Sequence, residues 1–162
     1  MQAARLVRIA FAFVIAGCAG YLLASFLFTA ANLWRLSEVG AQISFADAAR
    51  TFWFDVRGLA PSLVWTQYGS LIFIGLAIAF PIAALLRYAA LRATSTAKIE
   101  PFLYPLAGAT AIATILVLSF QTYEVYAFAG ARGWLGNLAQ CFAGACAGYL
   151  FQVLMQPSEA RA

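Results

Sequence analysis

The sequence has no histidine and few charged residues. None of its 162 residues is His and only 10% are charged, whereas about a quarter are charged in an ordinary soluble domain. Without imidazole, the most common general base and metal ligand is missing, and a Ser-His-Asp triad is excluded. Ten Lys and Arg with six Asp and Glu cannot cover a water-soluble domain of this length. These shortages exclude a soluble enzyme, a disordered tail and a nucleic-acid-binding protein.

Cysteine is also scarce, since the chain contains only Cys18, Cys141 and Cys146. No two of them form a Cys-x-x-Cys pair, so the sequence gives no support for zinc, haem or dithiol redox chemistry. All three lie in apolar stretches, where cysteine usually behaves as a small hydrophobic residue. We therefore predict neither a metal site nor a cofactor.

Long apolar runs dominate what the sequence does contain. Apolar residues make up 64% of the chain, and the mean hydropathy is +0.85. A helix needs about 20 apolar residues to cross the hydrocarbon core of a bilayer. Four segments are long enough, and they cover residues 9–34, 63–86, 102–123 and 134–155. We predict an all-α fold, an integral membrane four-helix bundle in which residues 1–162 form a single transmembrane domain.

The basic residues predict how this bundle is oriented. With the N-terminus inside, the inner side holds Arg5, Arg8, Arg87, Arg92, Lys98 and Arg161, and the outer side holds Arg35, Arg50, Arg57 and Arg132. The short inner loop 87–101 carries three of these, and short loops are where the positive-inside rule counts most. The outer side then also holds every tryptophan, as an interfacial belt of Trp34, Trp53, Trp65 and Trp134. Heavy use of Ala and Arg with a single Lys is typical of GC-rich bacteria. We expect a multi-pass protein of the bacterial inner (cytoplasmic) membrane with both termini cytoplasmic.

The first outer loop, residues 35–62, contains the signature of an additional helix. Ser44 followed by Asp47 forms a capping box that predicts a helix over residues 44–57, ended by Gly58 and Pro61. One face of that helix is apolar and carries Phe45, Ala49, Phe52, Trp53 and Val56. Such an amphipathic helix lies in the outer interface or packs over the ends of the spans. In either position it offers a surface on which a partner can dock.

Residues 15–18, Ile-Ala-Gly-Cys, resemble the lipobox of bacterial lipoproteins. That resemblance implies lipidation of Cys18 and removal of residues 1–17. The sequence departs from the pattern after the cysteine, because Ala19 to Trp34 stays apolar where a lipoprotein usually turns polar. Cleavage would leave an apolar stub too short to span comfortably. We therefore expect residues 9–34 to form an intact span.

Small residues four positions apart occur in the first and fourth spans. They form the pairs Ala16-x-x-x-Gly20 and Gly144-x-x-x-Gly148. In lipid, where apolar burial does not drive helices together, such pairs allow backbones to approach closely. We predict that the first and fourth helices touch in their inner halves through these residues. The alternative is that Gly144 and Gly148 face a second copy of the chain in a homodimer.

Polar residues form stripes on the third and fourth spans. Thr110, Thr114, Gln121 and Glu124 fall within about 80° of one another on a helix, and the fourth span carries Asn137, Gln140, Cys141, Gly144, Gly148 and Gln152. Buried amides in lipid need partners, so we expect the two stripes to face each other or a shared cavity. The outer residues of the two stripes, together with Asn32 and Gln67, predict an outer polar vestibule. Its residues are Asn32, Gln67, Gln121, Glu124, Asn137 and Gln140, and Thr110 and Thr114 complete the candidate ligand set. Two interpretations of this vestibule are open. Either it binds a small polar solute, a lipid headgroup or a quinone-like ring, or its residues only make interhelical hydrogen bonds.

No ionisable residue lies deep in any span, which argues against a proton-coupled mechanism. The leading expectation is a non-catalytic accessory, assembly or scaffolding component of a membrane complex, whose contacts are the bilayer and a membrane-protein partner or a second copy. The alternative is a small-solute or lipid-handling permease component that uses the vestibule. A third class is a membrane enzyme relying on Glu124 and the hydroxyls of Tyr123 and Tyr126.

Overall fold

A computed structural model describes residues 2–60, 68–93, 100–123 and 133–156 of the chain. These residues form five α-helices: α1 (Gln2–Glu38), α2 (Phe45–Gly58), α3 (Tyr68–Ala93), α4 (Leu103–Tyr123) and α5 (Trp134–Met155). A 3-10 turn, Glu100–Phe102, leads into α4, and no strand occurs within the described ranges. Four of the helices, α1, α3, α4 and α5, are long and apolar enough to cross a membrane. The predicted all-α membrane bundle with an additional amphipathic helix is confirmed.

The spans differ from their predicted bounds mainly in length. The fourth matches, whereas α1 extends beyond residues 9–34 at both ends, and α3 continues past Arg87 to Ala93. The predicted start of the second span, residues 63–67, lies outside the described residues. Charged residues end a membrane span but not a helix, because Arg, Leu and Ala are all good helix formers. With 37 residues, α1 is about 55 Å long, well beyond the roughly 30 Å of a hydrocarbon core.

The four spanning helices alternate in direction. Ala24 of α1 lies level with Gln140 of α5, and Arg8 near the start of α1 reaches the last residues of α5. In the same way, Phe80 of α3 contacts Tyr104 of α4. Helix α5 packs between α1 and α4, α4 packs between α5 and α3, and α1 meets α3 over only a short stretch. We call the two ends of the bundle the tryptophan end (Trp34, Trp53, Trp134) and the arginine end (Arg5, Arg8, Arg87).

Small residues set the closest approaches between helices. Gly20 of α1 lies against Ala147 of α5, where an added Cβ would come within 2.7 Å of the alanine Cβ. The predicted contact between the first and fourth helices is therefore confirmed, with Ala16 fully buried beside it. The predicted role of the α5 glycines was wrong, because Gly144 and Gly148 do not face α1. They pack against Gly108 and Tyr104 of α4, backbone against backbone, which buries the glycine face inside the bundle.

Helix α2 packs along α1 near the tryptophan end. The Tyr21 hydroxyl donates a hydrogen bond to the Val56 carbonyl, and the Thr29 hydroxyl donates to the Asp55 carboxylate over 2.7 Å. Phe52 lies edge-on to Phe26, with ring centroids 6.1 Å apart. The structure packs this helix along the side of α1, at residues 21–29 of the first span and not over the span ends, with Phe52 and Val56 of its apolar face half-buried there.

The predicted capping box of α2 is present at Ser44. The Asp47 amide donates to the Ser44 hydroxyl oxygen over 3.2 Å. In return the Ser44 hydroxyl and amide both donate to the Asp47 carboxylate, over 2.6 and 3.3 Å. These two hydrogen bonds favour the ionised form and lower the pKa of Asp47 below its ordinary value. Because the folded-state pKa is lowered, the contribution of this carboxylate is present above the ordinary Asp pKa and is lost as the pH falls through the folded value.

We expect Ser44→Ala to raise the pKa of Asp47 towards the ordinary value for aspartate, because it removes the hydroxyl donor. A carboxyl carbon NMR titration of the protein in detergent measures this shift. Thr51→Ala is the matched control, since the Thr51 hydroxyl donates to the Asp47 backbone carbonyl and leaves the carboxylate untouched. Equal Asp47 pKa values in the wild type and Ser44→Ala would contradict the capping role of the hydroxyl.

Candidate functional site

Gln140 is the centre of a buried polar contact that joins three helices. Its side chain is 2% exposed. The Tyr68 hydroxyl of α3 donates to its Oε1 over 2.6 Å, and its Nε2 donates to the Ala24 carbonyl of α1 over 3.1 Å. A buried amide in lipid needs such partners. Of the two alternatives for the polar residues, ligand binding and interhelical hydrogen bonding, the geometry at Gln140 matches interhelical hydrogen bonding.

The polar stripe of the third span points away from α5, contrary to prediction. Thr110, Thr114 and Gln121 are exposed on the surface of α4. The Thr110 hydroxyl donates to the Leu106 and Ala107 carbonyls, and that of Thr114 donates to the Thr110 carbonyl. Threonine in an apolar setting satisfies its hydroxyl on its own helix in this way. A different side of α4 faces α5 instead, with Tyr104, Gly108 and Ile112 at the contact.

Two of the remaining four vestibule residues lie in the described part of the chain. Asn137 lies one turn above Gln140 and Asn32 lies on α1, both half-buried. Gln67 and Glu124 lie outside the described residues. Within the described ranges, three buried polar atoms have no hydrogen-bond partner: Ser25 Oγ, Asn137 Oδ1 and Gln152 Oε1. The vestibule therefore stays a prediction as a binding site. Its remaining candidate residues are Asn32, Asn137, Gln67 and Glu124.

The tryptophan end carries large exposed apolar side chains on a projecting helix. Gln140 lies six residues after the start of α5 and is level with Ala24 of α1. Because the two helices are antiparallel, the start of α5 is level with the residue six positions after Ala24, residue 30. Helix α1 therefore projects about 12 Å beyond α5. Its projection and α2 expose a set that we call the tryptophan-end surface: Trp34, Leu36, Val39, Phe45, Trp53 and Phe54. Charged Asp47, Arg50 and Arg57 are exposed on α2 beside them.

The arginine end holds a cleft that sequence reasoning missed. It lies between the start of α1 and the second half of α3, with a volume of about 1170 Å³. Its walls are apolar and include the clustered rings of Phe13, Phe80, Tyr104 and Phe151. Its rim carries Arg5, Arg8 and Arg87. The signal was present in the sequence, since these arginines bracket the spans, but they were interpreted only as determinants of orientation.

Arg8 also holds two helices together at this rim. Its Nη2 donates to the carbonyls of Leu154, Met155 and Gln156 at the end of α5, over 3.3, 2.6 and 2.8 Å. The last carbonyls of a helix lack intrahelical donors and carry the negative end of its dipole. A guanidinium there satisfies several of them at once. The contact fixes the start of α1 against the end of α5.

Among the described residues, no group of three His, Cys, Asp or Glu side chains is placed to hold a metal ion. Comparison of the chain with protein-family models, with curated proteins and with solved structures finds no match. The described features that bear on function lie at the two ends of the bundle, in the tryptophan-end surface and the arginine-end cleft.

Proposed function

We propose that this chain is a non-catalytic accessory, assembly or scaffolding component of a membrane complex. The observation that carries the proposal is the tryptophan-end surface, where Trp34 is 69% exposed on the part of α1 that projects beyond α5. Large exposed apolar patches mark sites of protein–protein or membrane contact. Trp34 and Leu36 are exposed on the part of α1 that extends past the start of α5, where a partner can reach them.

Helix α2 favours a protein partner over the bilayer surface. Two half-buried side chains of its apolar face, Phe52 and Val56, already pack on α1. The face left exposed mixes Trp53 and Phe54 with Arg50 and other charged residues. Aromatic residues and arginine together are enriched at protein interfaces, and they supply most binding hot spots.

The alternative, a solute-handling permease component, has less support. It requires the polar stripes of α4 and α5 to enclose a vestibule, but Thr110, Thr114 and Gln121 face outward. The amide of Gln140 is engaged by Tyr68 and Ala24. We also propose that the arginine end faces the cytoplasm of a bacterium with both termini inside, because basic residues concentrate on the cytoplasmic side of inner-membrane proteins.

The test is copurification from native membranes in a mild detergent. We expect the wild-type chain to retain a partner in fixed stoichiometry, and Trp53→Ala/Phe54→Ala to weaken its retention by roughly 30-fold, the effect of losing about 2 kcal/mol at a hot spot. The matched control is Leu138→Ala/Phe142→Ala on α5, which also removes two side chains that are more than half exposed but leaves the tryptophan end intact.

Retention in the control variant together with loss in the α2 variant supports the proposal. A wild-type chain that purifies alone, or as a homo-oligomer only, contradicts it. Equal loss of the partner in both double variants also contradicts it, because the contact would then lie along the spans and not on the tryptophan-end surface.

A further inference from the structure

The two helices that flank the arginine-end cleft are held apart by an aromatic spacer. The Phe13 ring of α1 stands edge-on against Phe73 and Phe80 of α3, with centroids 6.0 and 6.2 Å apart. The facing walls include four small side chains beside the larger Leu6, Ile9 and Pro81: Ala4 and Ala10 on α1 and Ala77 and Ala84 on α3. Alanines that line a gap leave space between two helices, and here the gap is open to the surroundings because Ala10 and Ala84 are exposed.

The floor of the cleft is rigid and aromatic. Phe80 stacks on Phe151 with centroids 4.5 Å apart and an interplanar angle of 24°. Tyr104 packs against both rings, at 5.9 and 5.3 Å. The three side chains come from three helices, α3, α4 and α5, and each is at least nine-tenths buried. An apolar groove with such a floor accommodates flexible hydrocarbon without rearranging the bundle.

The rim of the cleft has the opposite character. Arg5, Arg8 and Arg87 line it, all exposed, and no acidic residue appears among the described lining residues. Arg8 and Arg87 directly flank the apolar runs of α1 and α3, and residues that flank an apolar run of about 20 residues reach the headgroup region of a bilayer. Arginine recognises phosphate through two parallel hydrogen bonds, and basic pockets between spanning helices bind anionic headgroups.

The dimensions fit one leaflet of a bilayer. The lining residues of α3 run from Ala77 to Tyr88, a rise of about 17 Å along the helix. Half of a hydrocarbon core is roughly 15 Å thick. The cleft volume of about 1170 Å³ exceeds the roughly 300–1,000 Å³ of typical small-molecule pockets. The length, the volume and the apolar walls under a basic rim fit a molecule with long apolar chains and an anionic headgroup.

We propose that the arginine-end cleft is a binding site for an anionic phospholipid. Its acyl chains lie between α1 and α3 over the aromatic floor, and its phosphate is bound by Arg5 and Arg87. Arg8 contributes charge while its Nη2 stays on the carbonyls of α5. The bound lipid fills the gap between the two helices on the arginine side of their contacts at Phe13 and Gly17.

The test uses the purified full-length protein in a neutral detergent with equimolar dioleoylphosphatidylglycerol and dioleoylphosphatidylcholine. Native mass spectrometry gives the ratio of the two lipids bound. We expect at least 25-fold more phosphatidylglycerol than phosphatidylcholine, and a loss of about fivefold in this preference for each arginine removed in Arg5→Gln/Arg87→Gln. The matched control, Arg50→Gln/Arg57→Gln on α2, removes the same charge from the tryptophan end and should retain the preference.

Two further arms separate the parts of the site. Ala84→Phe fills the apolar groove and should reduce binding of both lipids, and sn-glycerol 3-phosphate, which lacks acyl chains, should not raise the melting temperature. Equal binding of both lipids by the wild type overturns the proposal, as does equal loss in the α2 control or unchanged binding in Ala84→Phe. Stabilisation by glycerol phosphate as strong as by the lipid overturns it in favour of a free-phosphate site. Melting temperatures in lipid-free detergent confirm that each variant is folded.

Discussion

Gly144→Ala should lower the free energy of unfolding by about 3 kcal/mol or more, the upper range for overpacking a tight interface. The added Cβ would meet the Gly108 carbonyl group of α4, with its carbon 2.8 Å away, and the Ile112 side chain at 2.6 Å. Ordinary carbon–carbon contacts lie at roughly 3.5–4.0 Å. The Gly108 backbone cannot rotate away as a side chain can, so α4 and α5 must separate along their contact. Detergent-based unfolding followed by circular dichroism measures the loss.

Gly75→Ala on α3 is the matched control for this prediction. Its Cβ would come within 2.9 Å of Ile115 Cδ1, the flexible end of a side chain that can move aside. Replacing a helical glycine by alanine also gains about 0.5–1 kcal/mol in helix formation. We expect the control to leave stability nearly unchanged. Equal destabilisation by the two variants would show that the α4–α5 glycine contact has no special role.

A larger substitution distinguishes packing within the chain from packing between copies. Gly148→Ile should reduce the melting temperature strongly, because a Cβ at Gly148 would lie 2.5 Å from the Tyr104 carbonyl carbon of the same chain. Its oligomeric size in detergent should equal that of the wild type. A variant that loses a dimer at unchanged melting temperature would instead place the glycines between two copies.

The second large effect is expected at the buried amide. Gln140→Met, which keeps the length of the side chain, should cost about 1–2 kcal/mol because it removes the acceptor of the Tyr68 hydroxyl and the donor to Ala24. Tyr68→Phe should cost about 1 kcal/mol. The double variant should cost less than the sum, with a coupling of about 0.6–1.7 kcal/mol, the range measured for hydrogen bonds between membrane helices.

The same Gln→Met change at Gln121 supplies the control, because Gln121 is exposed at the end of α4. It should change the free energy of unfolding by less than about 0.5 kcal/mol. Additive effects of Tyr68→Phe and Gln140→Met would show that the two side chains do not stabilise the bundle as a pair. A cost at Gln121 equal to that at Gln140 would assign the effect to amide chemistry rather than to the three-helix contact.

Helix α2 shows which structural features an amphipathic sequence pattern predicts and which it does not. Its capping box, its extent to within a residue at each end and the half-buried Phe52 and Val56 all follow from local spacing. Trp53 was predicted on the same apolar face and instead is exposed. Asp55, predicted on neither face, bonds the Thr29 hydroxyl of α1. A polar partner on a neighbouring helix is a tertiary contact, which periodicity alone does not reveal.

The polar stripe on α4 shows where such reasoning fails. Thr110, Thr114 and Gln121 share one face, as their spacing requires, but that face is exposed. Threonine hydroxyls can bond their own helix, so they do not have to be buried. Gly108 instead selects the buried face, since it permits a backbone contact with Gly144 that no other residue allows. The sequence contained both signals without a means of ranking them.

By itself, the sequence determined the class of the protein, the four spans and the capped helix between the first two. These are local properties, because a bilayer requires every backbone hydrogen bond to be made within a helix and requires about 20 apolar residues to cross it. Only the tertiary structure decided which faces meet, which side chains Gln140 joins, and that α1 and α3 leave a cleft under three arginines. The physical reason is that lipid is as apolar as the bundle interior. Hydropathy therefore does not distinguish an inward face from an outward one, and close backbone fit and polar pairing decide the arrangement.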